Sequence, residues 1–437
     1  MVHTDKERTY FCIDMKTFYA SVECAERGLN PFETNLVVAD TSRGKGALCL
    51  AVSPRMKAQG VKNRCRLFEI PKNIKYEVAL PRMQLYIDYA ADIYAIYLKY
   101  FAPEDIHVYS IDEAFIDATN YLGTYNTDGR TLAKKLMNEI AEVKHIPSTA
   151  GIGSNLFLAK IALDITAKHA KDHMGILNEE SFRETLWDHK PITDFWMIAN
   201  GTARKLERYG ITTLKDVAQF PQEQLYKIFG KDAELLIDHA WGREPCRMQD
   251  IKSYKSKSHS VSFTQILQRD YSYDEARIVM TEMILHGCQE LMRRKVICQK
   301  VWIAVGYSQD VLPMAHAQTK LTSATAVNSL ISPYVLNLFD KITDRGTPIR
   351  RLGISFNDVC DEGCEGYDFF TDWEAVEREK AKEKAVLQIA DKYGKNAVLR
   401  GTNYLDGATQ RERNGFIGGH RAGYDDITRE GKAIRPI

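Results

Sequence analysis

Residues 108–119 read VYSIDEAFIDAT. Apolar and polar residues alternate as on a half-buried strand. The alternation breaks at Asp112–Glu113, where two acids stand side by side between Ile111 and Ala114. The stretch predicts two strands with a sharp turn between them. A carboxylate is costly to bury without a partner, and two adjacent ones repel each other and invite a cation. Asp14 has a similar setting, ending the apolar strand predicted over 9–13 (TYFCI) just before a helix. If the two strands are neighbours in one sheet, three carboxylates converge at one edge. Asp and Glu are hard oxygen ligands suited to Mg²⁺, and two such ions roughly 3.5–4 Å apart can serve phosphoryl transfer. Plainer readings stand beside this one: Asp112–Glu113 as an exposed hairpin turn, and Asp14 as a helix N-cap.

Outward from these acids the chain alternates strand and helix. FYASVECAERG (18–28) predicts a helix stopping at Gly28. Residues 30–73 are rich in Arg, Lys and Gly and suggest short strands and turns. A long helix follows over 81–101. The segment 131–144 carries Leu132, Leu136, Met137, Ile140 and Val143 at helical spacing. STAGIGSN then leads into a helix over 156–170. Such an order describes an α+β domain whose sheet is covered on one face by helices. Residues 180–242 are helical with short loops, 252–357 return to α+β, 361–372 resemble a linker, and one charged helix over 373–394 precedes a Gly- and Arg-rich end.

With 437 residues, the chain exceeds a single core and implies two to four domains. No apolar run approaches the about 18 residues of a membrane span, and the start MVHTDKERTY lacks the apolar centre of a signal peptide. A cytoplasmic, nucleoid-associated protein is the expectation, with no membrane partner. Nine scattered cysteines without a CxxC pair support neither a zinc site nor a disulfide framework. The net charge of +1 leaves a nucleic-acid partner open, since a balanced total can hide a basic face.

Four stretches together carry a resemblance: FCIDMKTFYASVE (11–23), SPRMKAQGV (53–61), YSIDEAFID (109–117) and AGIGSNLFLAKIALD (150–164). In this order they resemble the motif set of the Y-family (translesion) DNA polymerases. The branch is UmuC-like, of the sort found in Gram-positive bacteria and their mobile elements. GATQRERNGFIGGH (407–420) also resembles that branch's C-terminal tail. The resemblance implies a multidomain α+β, right-hand-like polymerase. Its palm would be 1–28 and 78–179, its small fingers 29–77, its helical thumb 180–248 and its α+β little finger 252–358, with a linker and tail over 359–437.

It further implies that Asp14, Asp112 and Glu113 are catalytic carboxylates holding two Mg²⁺ ions, with the Met15 carbonyl touching one of them. Phe18 and Tyr19 would border the nucleotide, Tyr19 as the steric gate against a 2′-OH; both rings could instead be core. Lys57 would contact the β- and γ-phosphates. Pro54 stands where many relatives have a phosphate-contacting Tyr, and Arg55 could compensate. Lys168 is the nearest match to a second phosphate-binding lysine, one residue later than in better-known branches. Leu48 and Leu50 would roof the nascent base pair.

The stretch 195–211 resembles the thumb's helix–hairpin–helix, but Met197–Ile198–Ala199 replaces the usual Gly–hydrophobic–Gly. KSKSHSVSF (255–263) resembles the start of the little finger, and Lys252, Lys255, Lys257 and Arg269 would track DNA phosphates; the same lysines would equally guard a solvated strand edge. EGYDFFTD (365–372) resembles a degenerate sliding-clamp peptide anchored by Tyr367, Phe369 and Phe370. The expected partners are primer–template DNA and dNTP, with the clamp, a UmuD-like protein or a recombinase filament as further candidates in the SOS response. Two other functions compete: a catalytically weak or inactive DNA-binding scaffold on the same fold, and a nucleotidyl cyclase, which would need no thumb or little finger.

Overall fold

The computed structural model describes residues 8–256, 259–363, 366 and 371–423. The chain divides into two compact units, 1–254 and 255–437.

In the first unit the strands are β1 (Tyr10–Met15), β2 (Leu36–Ala39), β3 (Cys49–Val52), β4 (Glu77–Ala79), β5 (Ile106–Val108), β6 (Glu113–Asp117), β7 (Ser148–Gly153) and β8 (Met174–Leu177). Five of them form one sheet in the order β5–β6–β1–β7–β8, so β1 is central. Its neighbours β6 and β7 are antiparallel to it, and β8 runs parallel to β7. β1 outruns its expected end by two residues. Asp14 lies within the strand, opposite Glu113 on β6 and Thr149 on β7.

Helices cover both faces of this sheet, not one. On the first face, Phe11 packs edge-on against Phe101, beneath helices Met83–Leu98 and Gly129–Lys144. The second face carries Tyr10, Cys12 and Asp14, since side chains alternate along a strand. Its covering helix begins at Leu156–Ile161. Glycines make this second layer possible. A Cβ on Gly151 would stand 2.0 Å from the Ala159 carbonyl, and one on Gly153 would stand 2.2 Å from the Ala159 amide. Both glycines pair with the Asp14-bearing face of β1, through Cys12 and Tyr10. The helix backbone therefore lies directly on the sheet.

That helix does not run uniformly. Leu156–Ile161 passes into a π-turn at Ala162–Thr166 and closes with Ala167–His169. A π-turn accommodates one extra residue without ending the helix, a local place for the residue by which Lys168 is displaced from the expected spacing. The outer side of Leu156–Ile161 joins a second core with Phe182, Phe195, Leu206, Leu225 and Leu236, formed by the short helices over 180–242. β2 pairs with β3 and β4 in a separate small sheet, packed with Met56, Val61 and Ile70.

The second unit has an antiparallel sheet, β9 (Val261–Tyr271), β10 (Val296–Tyr307), β11 (Ala315–Thr325) and β12 (Ile349–Asn357), in the order β11–β10–β12–β9. Helices Tyr273–Arg293 and Asn328–Ile342 supply the rest of its core. Residues 403–410, within the segment expected as a tail, are docked on this unit. Buried Glu282 accepts hydrogen bonds from the Asn403 side chain (2.7 Å) and from the backbone amides of Thr409 (2.8 Å) and Gln410 (3.1 Å).

Candidate active site

The three acids named from the sequence meet at one end of the five-stranded sheet. Asp14 and Glu113 are direct cross-strand partners, so their side chains share a face at the separation where like charges destabilise. Asp112 closes the hairpin between β5 and β6, and its carbonyl accepts the Met15 amide at 2.9 Å. The turn is therefore real, but it is anchored to β1. Ser110 Oγ donates to Asp112 Oδ1 at 2.7 Å.

The electrostatics follow from this crowding. Burial, then the charges of Asp112 and Glu113, raise the Asp14 pKa to about 8. Asp14 itself has no cation in hydrogen-bond contact among the described residues, and a carboxylate so placed is satisfied by a proton or by a cation.

Glu113 is held differently. Lys160 Nζ lies 2.8 Å from Glu113 Oε1 and 3.1 Å from Asp164 Oδ1. Cys12 Sγ donates to Glu113 Oε1 at 3.1 Å. The Lys160 pKa is raised: burial opposes its charge, but Cys12, Asp164 and Glu113 more than offset that. Among the described residues no three His, Cys, Asp or Glu side chains form a closed ligand cage. Sequence reasoning quoted Lys160 but gave it no role. The signal was its place in AKIALD, on the helix that the glycines of AGIGSN press against β1.

A basic side borders the acids. The Lys57 pKa is lowered by burial; Asp14 opposes this shift and Lys168 adds to it, which places all three within electrostatic reach. The Lys16 pKa is likewise lowered by burial and by Lys57. Arg55 lies on the exposed side of helix Pro54–Ala58 and does not figure in either balance.

Phe18 and Tyr19 differ in burial. Phe18 is 2% exposed and belongs to the core. Tyr19 is half-buried, and its ring stacks on Tyr86 with centroids 4.5 Å apart and planes 18° from parallel. Tyr86 is itself fixed by a 2.8 Å hydrogen bond to buried Glu23. Burial and the Asp112 charge raise the Tyr19 pKa, so the ring is stiffly backed next to the acids. Tyr86 was not singled out from the sequence. Leu48 is 38% exposed, whereas Leu50 is partly buried on β3.

The expected DNA-contacting residues fall in both units. Lys252 is exposed at the end of helix Met248–Ser253 in the first unit. Lys255 is exposed at the start of the second unit, and Lys257 lies outside the described residues. Arg269 on edge strand β9 is bound by Glu275 at 2.5 Å and covers the Tyr271 ring. In the hairpin over 195–211, Met197 takes the left-handed φ of 68° that glycine usually supplies, with its side chain 58% exposed. The turn thus forms without glycine, ahead of helix Asn200–Glu207. The aromatic anchors Tyr367, Phe369 and Phe370 lie outside the described residues.

Comparison with known proteins places this arrangement in context. Residues 13–164 match the impB/mucB/samB family, and residues 255–369 match the C-terminal domain of the same family. The chain is 31% identical to the putative UV-damage repair protein UvrX of Bacillus subtilis (strain 168), over 95% of this chain and 98% of the relative. It is 30% identical to DNA polymerase IV 2 of the same organism, over 95% of this chain and 99% of the relative. A solved Y-family DNA polymerase chimera, Dbh-Dpo4(243-245)-Dbh, shares the fold with a TM-score of 0.64 at 20% identity, covering 81% of this chain and 99% of that one.

Proposed function

Because the chain belongs to the impB/mucB/samB family, that of the Y-family polymerases, we propose that Asp14, Asp112 and Glu113 are the catalytic carboxylates of a translesion DNA polymerase. The enzyme is a DNA-directed DNA polymerase. The observation that carries the site assignment is the registered pair Asp14–Glu113 with Asp112 beside it, crowded enough to raise Asp14 to about 8.

Three carboxylates and the Met15 carbonyl at the strand end would hold two Mg²⁺ ions, as hard oxygen donors suit. When bound, such ions lower the pKa of an attacking hydroxyl and stabilise charge on the leaving oxygens. The protein's own groups do the rest. β1 and β6 fix the two facing carboxylates in register. Lys160 holds Glu113 until a stronger cation competes for it. Lys57 and Lys168 neutralise phosphate charge on the basic side. Tyr19, braced by Tyr86, lies under the sugar and excludes a 2′-OH.

The five-stranded sheet and its helices would serve as palm (1–28 and 78–179). Residues 29–77 would serve as fingers, 180–248 as thumb and 252–358 as little finger, with 359–437 as linker and tail. Lys252 and Lys255 would meet DNA phosphates, as would Lys257. Arg269 contributes less, because Glu275 already binds it. A sliding clamp reached through 365–370, a UmuD-like protein and a recombinase filament are the proposed accessory partners.

The test is primer extension with Mg²⁺ and dNTPs on undamaged and abasic templates, comparing wild type with Asp112→Ala. Extension across the lesion that vanishes in the folded variant supports the assignment. Equal extension by the two proteins overturns it.

A further inference from the structure

Lys16 lies two residues past Asp14, and its backbone is fixed on both sides. Its amide donates to the Pro147 carbonyl at 2.8 Å, and its carbonyl accepts Ser21 Oγ at 2.6 Å. The next residue, Thr17, is held at a left-handed φ of 46°, a conformation that a β-branched residue rarely adopts. The side chain is also held. Lys16 Nζ lies 3.1 Å from His173 Nδ1. An ammonium group only donates, so Nδ1 of His173 is the acceptor and the ring proton sits on Nε2. His173 precedes β8 at a left-handed φ of 59°.

A neutral imidazole orients Lys16 without cancelling its charge. No carboxylate of the described residues lies within 4.0 Å of the ammonium groups of Lys16, Lys57 or Lys168. Lys57 and Asp14 both act electrostatically on Lys16, so the ammonium group stands between the acids and the other cations. Lys16 is half-buried and held, whereas Lys57 and Lys168 are exposed, and an anion carrying several charges can engage all three together. Resting on the polymerase reading, we propose that Lys16, oriented by His173, binds the polyphosphate of the incoming nucleotide from the palm side, with Lys57 and Lys168 as the other cations. Lys16 is a substrate-binding residue and His173 its positioning residue.

The experiment uses the full chain on a primer–template ending in a dideoxynucleotide, so that no bond forms. The dNTP is titrated in Mg²⁺ with a fluorescent template base as reporter. Lys16→Ala is expected to weaken dNTP binding about tenfold, the scale of one hydrogen bond from a charged group. DNA affinity measured without dNTP stays constant, and Lys16→Arg recovers most of the loss. His173→Ala gives a smaller loss than Lys16→Ala, because it removes only the group that orients the ammonium. The preference for dNTP over dNDP narrows in Lys16→Ala, which a purely structural role would not produce.

Unchanged dNTP affinity in a folded Lys16→Ala, or a parallel loss of DNA affinity, overturns the inference while leaving the polymerase reading intact. Failure of the wild type to bind dNTP on DNA overturns both.

Discussion

Two acids nine residues apart, Glu23 and the partly buried Asp14, are treated in opposite ways. Glu23 is fully enclosed. Burial alone would raise its pKa, yet hydrogen bonds from Arg82 (2.9 and 2.8 Å), Arg27 and Tyr86 (2.8 Å) bring it below the usual value. Every lone pair has a partner from the chain itself. Asp14 has no ion-pair partner among the described residues. Its strongest neighbours are two more acids, and its pKa rises to about 8. The difference separates an acid that the fold has satisfied from one left to be satisfied by something that binds. Stability resides in the first arrangement and chemistry in the second.

That contrast is broken first by removing the unsatisfied acids. Asp112→Ala should lower primer extension by about 10³-fold or more, about 4 kcal/mol of barrier, while the melting temperature holds or rises because a repulsion has gone. A folded variant that extends primers at the wild-type rate would place the chemistry elsewhere.

Glu23 should behave in reverse. Glu23→Ala leaves two guanidinium groups and the Tyr86 hydroxyl without their acceptor, a loss of about 3 kcal/mol to be read as an earlier unfolding transition in urea. Whatever folded protein remains should retain primer extension. Unchanged urea resistance would mean that the Glu23 network is not the anchor its geometry suggests.

Tyr19 joins the two regions, since its ring lies on Tyr86, which Glu23 holds. Tyr19→Ala should admit ribonucleotides, lowering discrimination about tenfold to a hundredfold with DNA synthesis largely intact. Competition between dNTP and rNTP at one template base measures it. Unchanged sugar selection removes Tyr19 from the gate.

How much of this was legible in the sequence depended on distance along the chain. Asp112–Glu113 stood out because two acids interrupted a local alternation, and Asp14 because it closed an apolar run. Local patterns also located the helices at 18–26 and 129–144. What escaped notice involves partners far apart in sequence. Lys160 reaches Glu113 across 47 positions, and the contact exists only because Gly151 and Gly153 admit a helix onto the sheet's second face. The same glycines explain why one covered face was expected and two were found. Glu282 anchors residues 403–410 across more than a hundred positions, so a tail by composition is a docked layer in the structure. The π-turn was unreadable because its residues, ALDIT, are ordinary helix formers in any window.

The smallest effect sharpens the comparison most, because the two acids give opposite slopes with pH. Glu23 has a folded pKa below its unfolded one, so its contribution is full above the carboxylate range and fades as pH falls through it. Asp14 has a folded pKa of about 8 against 3.8 for the free side chain. Between those values the folded chain keeps a proton that the unfolded chain has released, so its contribution is full below about 3.8 and is lost as pH rises toward 8. In chelator, the melting temperature of the wild type should therefore decline between about pH 5 and 8 and level off above. Asp14→Asn, which has nothing to release, should be flatter. Added Mg²⁺ should remove most of the wild type's decline, because a bound cation substitutes for the proton, and should leave Asp14→Asn nearly unmoved. Parallel curves for the two proteins, with and without Mg²⁺, would show that Asp14 is as well satisfied as Glu23, and the distinction between the two acids would fall.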